Sequence, residues 1–242
     1  DQMAVFYFTG RNHAGENIAN LLQNRLQGLS PPGLMCDALS RNVPKNFETI
    51  LFNCLTHGRR NFVDVIDAFP DKCRHVIETL AQVYMNDQIA KEKNMSPRER
   101  LAFHQGESKP LMDDLHTWFE KQFDEKRVEP NSGLGKAITY MIKHWKALTR
   151  FLEIPGAPLD NNICERALKK AIIHRKNSLF YKTTNGALVG DMFMSLIQTC
   201  NMAKENAFDY LVALQENASA VAANPQKWLP WNFRQAISST NQ

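Results

Sequence analysis

No run in this 242-residue sequence approaches the roughly 20 uninterrupted apolar residues that a membrane-spanning helix requires. No basic-then-apolar segment opens it, so neither a secretory signal nor a membrane partner is expected. Internal repeats and low-complexity tracts are missing, which excludes solenoid arrays and fibrous chains. Cysteine is scarce: five residues, at positions 36, 54, 73, 164 and 200, odd in number and widely scattered. That excludes a disulfide framework and predicts reduced thiols in a cytoplasm. Net charge is small, at +4. What is present is an ordinary globular composition, 43% hydrophobic and 22% charged, on a chain long enough for one sizeable domain or a core with an inserted subdomain.

The small charge hides a concentration. Between Leu159 and Lys182 stand six basic residues (Arg166, Lys169, Lys170, Arg175, Lys176, Lys182) against Asp160 and Glu165, leaving 23 charges of each sign elsewhere. One basic element on a neutral protein suits a polyanionic partner; a solvated helix face is the plain alternative.

Met3 to Phe8 (MAVFYF) reads as a buried strand, followed by a helix with Ile18, Leu21, Leu22 and Leu26 on one face. Short strands follow at Leu34–Asp37 and Thr49–Leu55, the second leading into a helix through Phe62, Val63, Ile66 and Phe69. Strands alternating with helices predict an α/β layer with some parallel pairing. The texture then changes. Helical stripes run through Val76, Leu80 and Val83, through Leu115, Trp118 and Phe119, and through Leu134, Ile138, Met141, Trp145 and Leu148. Three helices without a strand between them predict an all-α insertion. Asp160 is placed to cap the next helix, which puts Cys164, Ala167, Leu168, Ala171 and Ile172 on a buried face. A further helix turns Val189, Met192, Phe193, Leu196, Ile197 and Cys200 inward, and a last one spans Phe208–Ala223. Trp118 and Trp145 are expected in the core.

Two acids stand out by position. Asp37 ends a short apolar strand, on the sheet edge where α/β ligand sites form. Glu165 lies near a helix start, beside the apolar stripe. Two such carboxylates can together hold Mg²⁺, which binds a few carboxylates and completes its octahedron with water and phosphate oxygens. A turn Asp and a Glu paired with Lys169 four residues on are the bland readings.

The segment Leu159–Phe180 (LDNNICERALKKAIIHRKNSLF) resembles the signature of the insertion sequence 66 transposases. MCDALSR at Met35–Arg41 looks like that family's second catalytic aspartate, and CLTHGRRNF at Cys54–Phe62 like its histidine-arginine block. Met194–Asn201 and Phe208–Leu214 look like its C-terminal element, which runs on to Trp231. The resemblance implies an α/β, partial RNase H-like fold: a mixed sheet flanked by helices, with an all-α insertion and a C-terminal helical element. The implied division is 1–70 and 153–200 for the two parts of the catalytic core, 71–152 for the helical insertion, and 201–242 for the C-terminal element and tail.

Asp37 and Glu165 are then the second and third acids of a D–D–E set, holding Mg²⁺ or Mn²⁺. The first acid belongs on a strand before Met3, and Asp1 is no substitute for it. The resemblance therefore implies a transposase portion that cleaves transposon ends and transfers strands, inactive alone. The alternative is a non-catalytic DNA-binding or regulatory fragment of a mobile element; a general RNase H-like nuclease would lack the element after Ser195. Implied partners are transposon-end and target DNA, further copies of the chain and accessory element-encoded proteins, in a bacterial cytoplasm at the nucleoid.

Arg59, Arg60, Arg166, Lys170, Arg175 and Lys176 are the expected DNA-backbone contacts. His57, Asn161, Asn162 and His174 are the expected polar residues at the catalytic edge. Cys54-x-x-His57 with Cys73-x-His75 has the residue types of a zinc site, although not the spacing of a standard finger.

Overall fold

The computed structural model describes residues 2–178 and 181–240, with the side chains of His174, Arg175, Ser178 and Thr240 outside the description. Leu179 and Phe180, which close the signature, lie outside it as well. The chain divides into two compact units, His13–Asn162 and a second made of residues 2–12 and 163–240.

The first unit opens with α1 (Ala14–Leu22) and then sets β1 (Gly33–Cys36) beside β2 (Ile50–Asn53). The strands are parallel, with Gly33 opposite Ile50 and Cys36 opposite Asn53. Gly33 has a reason to be glycine: a Cβ there would stand 2.4 Å from the Phe52 ring on the neighbouring strand. From β2 the chain turns directly into α2 (Leu55–Val63). Four helices follow: α3 (Pro70–Glu92), α4 (Pro97–Glu107), α5 (Lys109–Asp124) and α6 (Gly133–Leu148).

The expected helical stripes are what these elements bury. Phe52 and Leu55 meet Phe62, Val76, Leu80, Val83, Met112, Leu115, Phe119, Leu134, Ile138 and Met141 in one cluster. Each fully buried side chain of this kind stabilises the fold by about 1.5–3 kcal/mol relative to exposure. Trp118 and Trp145 pack against the cluster partly buried, both edge-on to Phe119. Gly58 lets α2 approach α6, since a Cβ would fall 2.6 Å from Met141 Sδ.

Helix α4 had no apolar stripe to announce it. The signal available was the capping box Ser96-x-x-Glu99: Ser96 Oγ accepts from Glu99 N (3.4 Å) and Ser96 N donates to Glu99 Oε2 (2.8 Å). Its inward face is polar. Asp87 of α3, 3% exposed, receives Arg100 at 2.6 Å, Lys91 at 2.6 Å and His104 at 3.3 Å. His104 Nδ1 lies 2.8 Å from Ser108 Oγ, which accepts from Asn86. Burial pushes the Asp87 carboxyl up, but hydrogen bonds from His104, Lys91 and Arg100 outweigh it and hold the group far below the usual carboxylate range.

The second unit is built on α7 (Asn162–Ser178), whose first residue belongs to the other unit, and α8 (Thr184–Met202). They are followed by α9 (Ala207–Glu216), α10 (Ala218–Ala223) and α11 (Phe233–Thr240). The single helix expected over Phe208–Ala223 is broken at Asn217, which leaves the helical region at φ −114° and ψ 29°. Cys200, Tyr210, Ala213, Trp228 and Phe233 form a small core, closed by Tyr210 Oη donating to Trp228 O at 2.7 Å.

Three expectations are corrected here. Among the described residues the sheet has only two strands, both parallel, and the molecule is mostly helical. Met3–Phe8 forms no strand, and Met3, Phe6 and Phe8 are exposed. Its amides are met by α8 instead: Val5 N donates to Thr199 Oγ1 (3.0 Å), Tyr7 N to Ser195 Oγ (2.9 Å) and Thr9 N to an Asp191 carboxylate oxygen. Alternating chain residues thus match helix positions four apart. That seat also explains the third difference. α8 buries the polar side of Asp191, Gln198 and Thr199, leaving Val189, Met192 and Phe193 exposed; on α7 Ala167 is buried while Cys164 and Leu168 are not.

Candidate active site

The two parallel strands end side by side. Asp37 follows β1 directly, and β2 passes through Asn53 and Cys54 into α2, so His57 sits in the first turn of that helix. Both groups therefore arise at the carboxyl edge, where the strands stop and their side chains project beyond the sheet. A cleft of about 260 Å³ opens there, lined by Asp37, Ala38, Leu39, His57, Arg60, Asn61 and Tyr140. Of the residues singled out in the sequence, it brings together Asp37, His57 and Arg60. Arg59 follows on α2 but is not among the lining residues.

Asp37 is half-buried, and one of its carboxylate oxygens accepts a short hydrogen bond from Asn42 Nδ2. That contact fixes the carboxylate's orientation over the cleft. Burial, then the charge of Asp37, pushes the neighbouring Cys36 thiol up to about 11. Tyr140 of α6 enters from the helical layer. Burial raises its phenol above the ordinary value, with further contributions from Cys54, Asp37 and Cys36, so it remains a neutral O–H donor.

The loop that launches α7 is fastened to the same edge. Leu55 N donates to Leu159 O (3.0 Å), and Asn161 N points at Cys54 Sγ (3.4 Å). Asp160 Oδ1 accepts from Asn162 N at 3.0 Å, and its other oxygen from Asn162 Nδ2 at 2.7 Å, so it meets the first amide of α7 from one residue before the cap position. Tyr84 of α3 reaches the same loop. Its hydroxyl lies 2.8 Å from Thr56 Oγ1, and burial first, with Asp160 among the lesser causes, raises its phenol.

Glu165, half-buried, comes three residues after Asn162 in the first turn of α7, in the second unit. On the same helix Arg166, Lys169 and Lys176 are exposed, and Lys170 Nζ donates to Gln198 Oε1 at 3.0 Å. The side chains of His174 and Arg175 lie outside the description. The zinc constellation does not assemble from its four members. Cys73 is wholly buried in the hydrophobic core, whereas His75 is exposed against the Trp118 ring. All five cysteines are free.

Sequence reasoning missed Asn42, Asn61 and Tyr140. Asn61 lay inside the quoted CLTHGRRNF block, one helical turn after His57, and that spacing was the available signal. Tyr140 carried none, because a tyrosine beside an apolar helical stripe has no distinguishing spacing.

A strand-edge carboxylate flanked by a histidine and an arginine brings together groups able to hold a cation, exchange a proton and neutralise an anion. Residues 1–188 match the Transposase IS66 family, and the chain belongs to it. Three relatives come from Sinorhizobium fredii. The uncharacterized protein y4jD is 31% identical over 75% of this chain and 35% of its own length. The uncharacterized protein y4hP is 29% identical over 98% of the chain and 45% of its own length. The uncharacterized protein y4qI is 30% identical over 77% of the chain and 35% of its own length. The chain thus spans less than half the length of the curated relatives it matches. No solved structure matches it. No helix among the described residues is long and apolar enough to cross a membrane.

Proposed function

We propose that this chain contributes Asp37 and Glu165 to a metal-dependent site that cleaves transposon-end DNA and joins it to target DNA. One observation carries the reading. The segment Leu159–Asn162, which leads within a single turn to Glu165, is hydrogen-bonded to the carboxyl edge from which Asp37 projects. On this reading residues 1–70 and 153–200 are two parts of an RNase H-like core, 71–152 is a helical insertion, and 201–242 is a C-terminal element. The protein would act on cytoplasmic DNA as an assembly of several copies.

The residues fit a hard divalent cation such as Mg²⁺ or Mn²⁺, whose ligands are carboxylate oxygens and water. Asp37 and Glu165 would hold it. A bound ion would supply Lewis-acid polarisation of the scissile phosphate and activation of the attacking oxygen. Around it the chain's own groups divide the work. Asn42 keeps the Asp37 carboxylate oriented. Arg60, with Arg59 beside it, neutralises DNA phosphates, and Arg166, Lys169 and Lys176 of α7 offer further exposed cations. The neutral Tyr140 hydroxyl donates a hydrogen bond to an oxygen seated in the cleft.

The test uses a full-length protein that contains this chain. Asp37→Asn and Glu165→Gln, made separately, should each lower Mg²⁺-dependent end cleavage on the order of 100-fold or more while DNA affinity changes by less than about twofold. Cleavage unaffected by either substitution removes that acid from the site. Loss of DNA binding without an independent effect on cleavage supports a binding module instead.

A further inference from the structure

A second cleft, of about 270 Å³, lies in the unit His13–Asn162 where α6 packs against β2. Its walls are apolar on two sides, Leu51 and Ala147, and cationic elsewhere, through Lys143, Lys146 and Arg150. No carboxylate is among its lining residues, although Arg150 Nη1 reaches the exposed Glu153 at 3.2 Å outside it. The three cations fall on one side of α6 and its continuation, spaced three and four residues apart.

Two polar atoms at this cleft are unmet. Asn53, 1% exposed, spends its amide nitrogen on long bonds to Phe52 O (3.3 Å) and Cys36 O (3.5 Å), and its Oδ1 has no partner. Arg150 Nε, a buried donor, has none either. Buried polar groups are rarely left in this state. Both are already out of water, so a ligand that meets them gains hydrogen bonds with no further desolvation of the protein. The exposed side chains of Lys143 and Lys146 border the cleft and are the parts free to move aside.

We propose that this cleft holds one unpaired nucleotide of a DNA strand: its base edge against Asn53 and Arg150, its phosphate against Lys143 and Lys146. The edge of a nucleobase carries a donor beside an acceptor, which is the complement of the unmet pair. Leu51, Ala147 and His144 supply a surface for a ring face. The His144 ring lies against that of Tyr140, tilted by 51° with centroids 4.8 Å apart, and Tyr140 lines the Asp37 cleft. The ring pair joins the two clefts, so a nucleotide held here would be a near neighbour of the strand at Asp37. Burial, then Lys143, lowers the His144 imidazole, which leaves it a neutral ring at pH 7. The assignment of the polymer as DNA rests on the transposase reading; the nucleotide chemistry of the cleft does not.

The experiment measures affinity of the whole chain for three DNAs by fluorescence anisotropy: a blunt duplex, the same duplex with a short single-stranded overhang, and that overhang with abasic sites. The overhang should tighten binding about tenfold, and the abasic overhang should forfeit most of that gain, given what stacking one base contributes. Lys143→Ala with Lys146→Ala, at exposed positions that spare the core, should reduce the overhang advantage to less than about threefold. Equal affinity for blunt and tailed DNA overturns the proposal, as does an abasic overhang that binds like the normal one. An advantage that survives in the double variant does so too. Cleavage lost in the Asp37 and Glu165 variants without any overhang preference refutes this cleft alone. Overhang preference with cleavage indifferent to those acids refutes the strand-transfer reading alone.

Discussion

Replacing Asp87 by Asn removes the one negative charge at the centre of the α3–α4 interface while keeping its shape. Three cations or potential cations meet that carboxylate, but they do not contribute equally. Lys91 has a side chain 70% exposed, so its 2.6 Å contact is a surface pair worth about 0–1 kcal/mol. Arg100 is different: its side chain is only 15% exposed and its Nη1 also donates to Ala157 O at 2.8 Å, so without the Asp87 charge a largely buried guanidinium is left uncompensated. His104, wholly buried, is left facing an uncharged amide at Nε2. Breaking a buried pair from one side costs about 3–5 kcal/mol, and the residual exposure of Arg100 points to the lower end, about 3 kcal/mol. For a unit of this size that is a fall in Tm of about 6–12 °C. The sign with pH follows from the depressed carboxyl. Stability from this group is fully present above the unfolded aspartate value of about 3.9 and is lost as pH falls below it towards the folded value. Thermal and urea unfolding by circular dichroism, with hydrogen exchange at α3 and α4 amides, measures both effects. A Tm within about 2 °C of wild type at pH 7 refutes this reasoning, as does a wild-type loss of stability in acid that the Asn variant shares in full.

Four other outcomes are expected. Arg59→Ala with Arg60→Ala should weaken DNA binding and make the log–log salt slope shallower by about 1.8 if both meet phosphates; an unchanged slope removes them from the interface. Gly58→Val should destabilise the first unit by about 1–3 kcal/mol, because its side chain must displace Met141, and a urea midpoint equal to wild type would show that α6 yields freely. Tyr84→Phe should cost about 1 kcal/mol through the lost contact to Thr56, with the loosened Leu159–Asn162 segment visible as faster amide exchange there; exchange confined to α3 counts against that link. Asn42→Ala should reduce metal-dependent cleavage about 10-fold or more with no change in DNA affinity, as removal of an orienting partner does, and equal cleavage would make Asn42 a loop residue only.

The parts of the fold that could be read from sequence are those whose signal is a period. α3, α5 and α6 carry apolar residues at helical spacing over several turns, and those residues are the ones the core buries. α4 escaped because its buried face is a hydrogen-bonded polar network, which hydropathy does not register. The misreading of Met3–Phe8 has a different cause. An apolar run rich in aromatic and branched residues reports a preference for strand backbone, not that another strand exists to take the amides. Here serine, threonine and aspartate of α8 take them. At the candidate site, Asp37 was legible because it directly follows a strand end, and His57 because it stands in the CLTHGRRNF block that opens the helix after β2. Tyr140 was not, because a tyrosine on an amphipathic helix looks the same whether its hydroxyl meets solvent, protein or a cleft. Lys143, Lys146 and Arg150 went unread because they lie singly among apolar residues, and only the approach of β2 sets them around Asn53.

The most direct test of the account is whether Asp37 and Glu165 share an ion. A crystal of the chain soaked in Mn²⁺ should show one anomalous peak with a carboxylate oxygen of each residue about 2.0–2.2 Å away, and neither Asp37→Asn nor Glu165→Gln should retain it. A peak bound by other residues, or the two carboxylates standing too far apart to touch one ion, contradicts the central claim.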